Sequence, residues 1–308
     1  MFLAMSMIVL NHSAVFAEDK QPEYRLQVSP AKQDIGDLKP GESYAGAFKV
    51  QNTGKNSFDF KVSASPYSVK DELYSPEYDK NSQYTDIVNW IKFSATTGHV
   101  DPNQEQEIAY TIKVPSDVPA GGQYLAITVE LTNTGTTEGS GVAITQQVGS
   151  IVYANVHGNT RKTGEVIENK IPTILFNPPV STTSIVNNTG NTHATASYIL
   201  EVCPLFSGKA SDGTLCDEEV YTNRENPDTL TILPETRRFN TITWPGSPKL
   251  GIFRVRQTVS MFDQTSTVEK VVFLCPIWFA FIIILLIFCA VFWIITRVRA
   301  RSRDNRSE

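Results

Sequence analysis

Tyr67, Tyr74, Tyr78 and Tyr84 crowd one polar stretch, SPYSVKDELYSPEYDKNSQYTD, interleaved with Asp71, Glu72, Glu77 and Asp79. Exposed tyrosines present flat apolar faces and hydroxyls, a pairing suited to stacking on sugar rings or anchoring a protein partner. Loops carried on a rigid scaffold are where such sites usually lie. The four tyrosines are therefore the candidate ligand-binding residues. The competing expectation is that they fold back over the edge of the domain and serve packing alone. Trp90 and Trp244 sit among apolar neighbours and are expected in the core.

Residues suited to catalysis are scattered. His99, His157 and His193 each adjoin a turn signal, and none belongs to a His-x-x-x-His or paired-Cys pattern of the kind that holds a metal. The sequence has no Gly-x-Ser-x-Gly elbow, and Ala120-Gly121-Gly122 precedes a strand pattern instead of a helix that would cradle phosphate. The acids Asp71-Glu72 and Asp217-Glu218-Glu219 lie in polar loops, whereas a glycosidase needs two carboxylates facing each other across a cleft. No catalytic residue, metal site or cofactor is expected, and the protein reads as a non-enzyme.

Cys203 and Cys216 flank a turn-rich stretch containing Gly208 and Asp212-Gly213, which can bring the two thiols together if the compartment is oxidising. Two free thiols are the alternative. Cys275 and Cys289 fall in an apolar run and are expected there as small apolar residues.

That run, Val271 to Ile295, holds no charge and one proline, long enough for a helix to span a bilayer. Arg297, Arg299, Arg301 and Arg303 follow at once, whereas only Glu269 and Lys270 immediately precede it. The positive-inside rule then puts residues 296–308 in the cytoplasm and everything before the helix outside. At the other end, residues 1–17 resemble a signal peptide cut after Ala17, although no basic residue precedes the apolar stretch. The expected product is a single-pass protein of the cell membrane with an external N-terminal ectodomain.

The chain carries a net charge of −5; five arginines against Asp304 and Glu308 give the tail +3, residues 1–17 carry none, and the remainder therefore holds −8. An acidic ectodomain without a basic stripe excludes nucleic acid as an expected partner.

The ectodomain has an all-β texture. Alternating runs such as Phe58, Phe60, Val62 and Ile108, Tyr110, Ile112, Val114 are separated by Lys39-Pro40-Gly41 and Asn52-Thr53-Gly54 turns. Three stretches recur in order about 130 residues apart, as tandem domains of one topology require. VQNTG from Val50 returns as VNNTG from Val186, the strand ending at Pro115 returns as the one ending at Pro245, and GGQYLAITVEL returns as LGIFRVRQTVSMF. The expected fold is all-β: two tandem immunoglobulin-like β-sandwiches, residues 18–160 and 161–270, followed by one transmembrane helix, 271–295. The polar run Asn133–Gly141 is expected as a hairpin tip within the first sandwich.

The stretches SPAKQDIGDLKPGESYAGAFKVQNTGKNSFDFKVS, DIVNWIKFS and VDPNQEQEIAYTIKVPSDVPAGGQYLAIT resemble the peptidoglycan-binding domain of the WxL-interacting surface proteins of Gram-positive bacteria. The second domain, with its turn Asn188-Thr189-Gly190-Asn191-Thr192-His193, is similar to the second module of related membrane-anchored proteins with tandem immunoglobulin-like domains. The resemblance implies a cell-surface binding protein whose ligand is peptidoglycan or another envelope protein. A chaperone-like or spacer role in surface assembly is the alternative, and a glycan hydrolase ranks last.

Overall fold

The computed structural model describes residues 24–132, 146–208, 210 and 213–304. The signal-like segment 1–17 and the expected hairpin tip Asn133–Gly141 lie outside the described residues. The first sandwich comprises β1 (Leu26–Ser29), β2 (Lys32–Leu38), β3 (Ser43–Asn52), β4 (Phe58–Pro66), β5 (Ser68–Val69), β6 (Pro76–Glu77), β7 (Ile91–Phe93), β8 (Thr97–Val100), β9 (Glu105–Lys113), β10 (Gly121–Leu131) and β11 (Gln147–Val156). The second comprises β12 (Gly164–Lys170), β13 (Ile174–Leu175), β14 (Val180–Asn188), β15 (Ala194–Pro204), β16 (Tyr221–Thr222), β17 (Asp228–Ile232), β18 (Thr236–Trp244), β19 (Gly251–Met261) and β20 (Gln264–Leu274). Helix α1 (Ile277–Asp304) ends the described chain.

The two halves share a strand plan. The first packs sheet β1-β3-β9-β7 on sheet β2-β11-β10-β4-β8, and the second packs β12-β14-β18 on β13-β20-β19-β15-β16. In each, the opening strand switches sheets, and its continuation pairs parallel with the last strand, β2 with β11 and β13 with β20. Alternation in sequence becomes inward-facing packing: Phe48, Val50, Phe58, Phe60, Ile108, Tyr110 and Ile112 meet in one core. Val186, Tyr198, Leu200, Ile242, Val255 and Val259 meet in the other. This is the tandem immunoglobulin-like β-sandwich architecture.

The VQNTG and VNNTG repeat has a chemical basis. Asn52 ends β3 almost wholly buried, donates from Nδ2 to the carbonyls of Asn56 (2.9 Å) and Val100 (3.0 Å), and accepts from the Gly54 amide (3.0 Å). Asn188 ends β14 in the same state, donating to Thr192 (2.8 Å) and Ile232 (3.0 Å) and accepting from Gly190 (2.9 Å). One amide thus satisfies the backbone of a turn and ties it to the facing sheet, which no apolar residue could do.

The expected membrane segment 271–295 is corrected at its start. Val271 to Leu274 belong to β20, with Val272 and Leu274 buried in the second sandwich. The helix begins at Ile277, after Pro276, which has no amide hydrogen to give and so suits the first turn. An apolar run reads the same whether it enters a sheet core or lipid, so hydropathy joined the two. From Ile277 to Arg297 the helix has a mean hydropathy of 3.0 and none of that window is buried in the protein, so it is long and apolar enough to cross a membrane. Arg297 lies over the Trp293 ring at 4.6 Å. Arg299, Arg301 and Arg303 continue the helix, but their side chains lie outside the described residues.

Candidate functional site

The tyrosine stretch does not stand away from the sandwich. It lies over the outer face of the β11-β10-β4 sheet and reaches the second domain. Strand β10 is therefore buried on both faces along nearly its whole length. Tyr67, Val69, Tyr124, Ala126 and Tyr153 of the first domain form a small third core with Leu233 of the second.

The candidate binding residues divide. Tyr67 is 6% exposed and meets Tyr153 edge-on at 6.1 Å. Tyr74, held at a positive φ of 64°, donates its hydroxyl proton to Thr236 Oγ1 (2.6 Å) and accepts from the Leu233 amide (2.8 Å). Thr236 directs its own hydroxyl to the Leu233 carbonyl, which fixes that direction, and the Arg238 guanidinium covers the Tyr74 ring at 4.1 Å. Tyr84 is half-buried and donates to Glu235 Oε1 (2.9 Å); burial, then the adjacent carboxylate, push its phenol up to about 12. Tyr78 alone is exposed, at 48%. The picture of four presented tyrosines is corrected: Tyr67 and Tyr74 are packing groups that join two domains, because their ring area is worth more against Tyr153, Leu233 and Arg238 than in water.

A second contact locks the junction of the two sandwiches, their elbow, from the other side. The turn Asn188–His193 leaves the second sandwich and inserts its distal half into the first. The Gly122 amide donates to the Asn191 carbonyl (2.7 Å), and Asn191 Nδ2 donates to the Ala120 carbonyl (3.0 Å). Gly121 at φ 146° sits so close to Asn191 that a Cβ there would come within 2.7 Å of its carbonyl oxygen. His193 meets the rings of Tyr124 and Tyr153 edge-on at 5.8 and 5.7 Å. Its Nδ1 is 3.3 Å from the Tyr124 hydroxyl and its Nε2 faces Asp34 at 3.5 Å. Burial holds the imidazole below its ordinary pKa, with Lys32 pushing the same way and Asp34 and Asp37 opposing. Sequence reading gave His193 no role. The available signal was the place where the two repeats diverge, NTGKNS against NTGNTH.

Between the tyrosine stretch and the Leu233–Thr236 turn runs a cleft of about 430 Å³, walled by Tyr67, Tyr84 and Tyr124 and rimmed by Lys80 and Glu235. It continues into a hollow of about 510 Å³ that shares Val69, Lys80, Glu235 and Thr236 and adds Lys70, Asp71, Glu72 and Arg237. Aromatic walls with charges of both signs at the rim can hold a polar ligand that carries flat apolar patches. Among the described residues, no three His, Cys, Asp or Glu side chains gather as metal ligands.

The other residues singled out in the sequence lie outside this cleft. His99 sits on the surface between Asp59 (2.6 Å) and Asp101 (3.4 Å), whose hydrogen bonds and charge raise its pKa. His157 donates its amide to the Leu38 carbonyl (2.8 Å). Cys203 and Cys216 are joined by a disulfide with a Cα–Cα distance of 6.3 Å. Beside it, Glu201, 1% exposed, takes Arg256 in a two-point pair (2.7 and 2.7 Å) and also meets Arg224. Arg256 then donates to the Gly213 carbonyl (2.9 Å), so the ion pair tethers the disulfide loop.

No family model matches the chain, and no curated protein is similar to it. Among solved structures it is similar to a chaperone–tip adhesin complex of CFA/I fimbriae biogenesis: 13% identity, 82% of this chain and 99% of that one, TM-score 0.38. It is similar also to the class 5 fimbriae chaperone CfaA: 11% identity, 80% and 99% coverage, TM-score 0.37. A third is the E. coli chaperone DraB: 12% identity, 81% and 97% coverage, TM-score 0.35.

Proposed function

We propose that this is a membrane-anchored, non-enzymatic binding protein of the cell surface, and that the interdomain cleft holds a wall glycan of the peptidoglycan class. The observation that carries the reading is the cleft itself. Tyr84 offers a ring face for pyranose stacking, while Lys80, Arg237, Glu72 and Glu235 suit a ligand bearing both carboxylates and amines. The cleft is built between two sandwiches locked at the elbow, so its walls are ordered before a ligand arrives and less entropy is lost on binding. The lipid-compatible helix Ile277–Arg297 supports anchoring, and the arginines after it support a cytoplasmic C-terminus with the sandwiches outside.

The test is co-sedimentation of the detergent-solubilised full chain with isolated peptidoglycan sacculi, beside Tyr84→Ala and Lys80→Ala variants. Saturable pelleting is expected, weakened about tenfold by Tyr84→Ala, which corresponds to ~1.4 kcal/mol of lost stacking. Pelleting indifferent to both substitutions would move the site away from the cleft. No pelleting at any ionic strength would refute the glycan and leave an envelope protein as the ligand. Protease added to intact cells should remove both sandwiches, and a protected ectodomain would refute the orientation.

A further inference from the structure

The second sandwich ends in an apolar collar next to the helix. Strand β20 stops at Leu274 and α1 starts at Ile277, so only Cys275 and Pro276 intervene, a reach of roughly 7 Å. That connector is held: the Phe273 amide donates to Thr173 (2.8 Å), the Cys275 amide to Leu175 (3.0 Å) and the Phe279 amide to Pro276 (2.9 Å). The sandwich therefore has no tether on which to stand off from the start of the helix.

Around this junction the surface is apolar where a water-facing domain end would be polar. Ile174, Phe273 and Ile252 are neighbours across β13, β20 and β19, directly paired in register, and are 55%, 42% and 39% exposed. Phe273 alternates with buried Val272 and Leu274, so this row lies on the outer face of the sheet. The loops that leave β13, β15 and β18 at the same end add Phe176 (48% exposed), Phe206 (95%) and Leu250 (48%). Elsewhere in the two sandwiches, the large exposed hydrophobics among the described residues are Leu73, Tyr78, Ile167 and Val220, which form no such group. Phe206 is held out instead of trailing free. The Ser207 amide turns back to Pro204 (3.1 Å), Arg254 donates to the Ser207 carbonyl (2.6 Å), and the Cys203–Cys216 disulfide closes the base of its loop. Trp278, 60% exposed, stands in the first turn of α1, the end of a spanning helix where interfacial aromatics collect.

We infer that these six residues are a lipid-docking surface, which seats the second sandwich in the interfacial layer of the membrane that α1 crosses. The inference rests on α1 spanning that membrane. The occupant follows from the connector: with the helix start in the bilayer, a collar built on the strand that runs into it and on the strands and loops beside that strand meets headgroups and acyl-chain ends before any other partner. Burying such side chains is favourable in proportion to their apolar area, so the collar fixes the tilt and height of the sandwich. The elbow then carries that fixed orientation to the cleft.

The test reconstitutes the full chain in phosphatidylglycerol–phosphatidylethanolamine vesicles containing a photoactivatable lipid with its diazirine near the glycerol backbone, and maps labelled peptides by mass spectrometry. Label is expected in α1 and in the peptides carrying Phe176, Phe206 and Leu250–Ile252, and absent from the first sandwich. A Phe206→Ser, Ile252→Ser variant should lose the loop label while α1 keeps its own. Label in α1 with none in the loops would overturn the docking surface and leave the anchor intact. No label in α1 would overturn the anchor and the docking surface together.

Discussion

Replacing Tyr74 by Phe removes one oxygen and leaves the ring under Arg238. In the native chain that oxygen accepts from the Leu233 amide at 2.8 Å and donates to Thr236 Oγ1 at 2.6 Å. Leu233 is 3% exposed, so its amide would lose its partner without gaining water. An orphaned buried donor costs about 1–3 kcal/mol, and for a pair of sandwiches of this size each 1 kcal/mol lowers Tm by ~2–4 °C, giving a fall of roughly 2–12 °C. Tyr74→Ala also removes the ring–guanidinium contact and leaves a cavity, so it should cost more, about 3–5 kcal/mol. The assay is thermal unfolding of the full chain in detergent, with the interdomain distance followed by a fluorescent pair, one dye on each sandwich. Tyr74→Phe should broaden that distance distribution as well as lower Tm. A Tm within 1 °C of the native value and an unchanged distance would refute the reading of Tyr74 as a domain clamp and return it to the pool of ligand contacts.

His193 gives a pH dependence. Its folded pKa is depressed, so its contribution is present above the unfolded value near 6.5 and lost as pH falls through the folded value, when a charge must enter the Tyr124–Tyr153 pocket against Lys32. The urea midpoint should fall between about pH 7 and pH 5 and flatten in His193→Gln; an unaltered slope in the variant would discard this histidine as the cause. Asn188→Ala should cost about 2–4 kcal/mol, since it strands the Thr192 and Ile232 carbonyls and the Gly190 amide, and Asn52→Ala should cost a like amount in the first sandwich. Equilibrium denaturation checks both, and a loss below about 1 kcal/mol in either would contradict the shared role. Cys203→Ser with Cys216→Ser removes a bridge of sequence separation 13, worth roughly 3 kcal/mol on the chain-entropy estimate. A Tm unmoved by the substitutions would show that the Glu201–Arg256 pair holds the loop unaided.

How much was legible follows from the range of each interaction. Inward positions such as Ile108, Tyr110 and Ile112 announce themselves because a strand shows alternate faces, and one face meets the core. The Asn52 and Asn188 turns show as a repeat because each amide serves backbone within a few residues. The disulfide was reachable because its loop is short and turn-rich. The tyrosine stretch was not, because its partners Leu233, Glu235 and Thr236 lie about 150 residues away and nothing local tells a tyrosine facing Arg238 from one facing water. For the same reason Val271 to Leu274 passed as membrane helix: hydropathy counts apolar residues and is blind to β19, whose hydrogen bonds make them a strand. Sequence by itself determined the sandwiches, their tandem order and the apolar helix, because those rest on local periodicity and length. Tertiary structure alone decided the elbow, the cleft and the collar, because each is made by residues that only the packing of distant strands brings together.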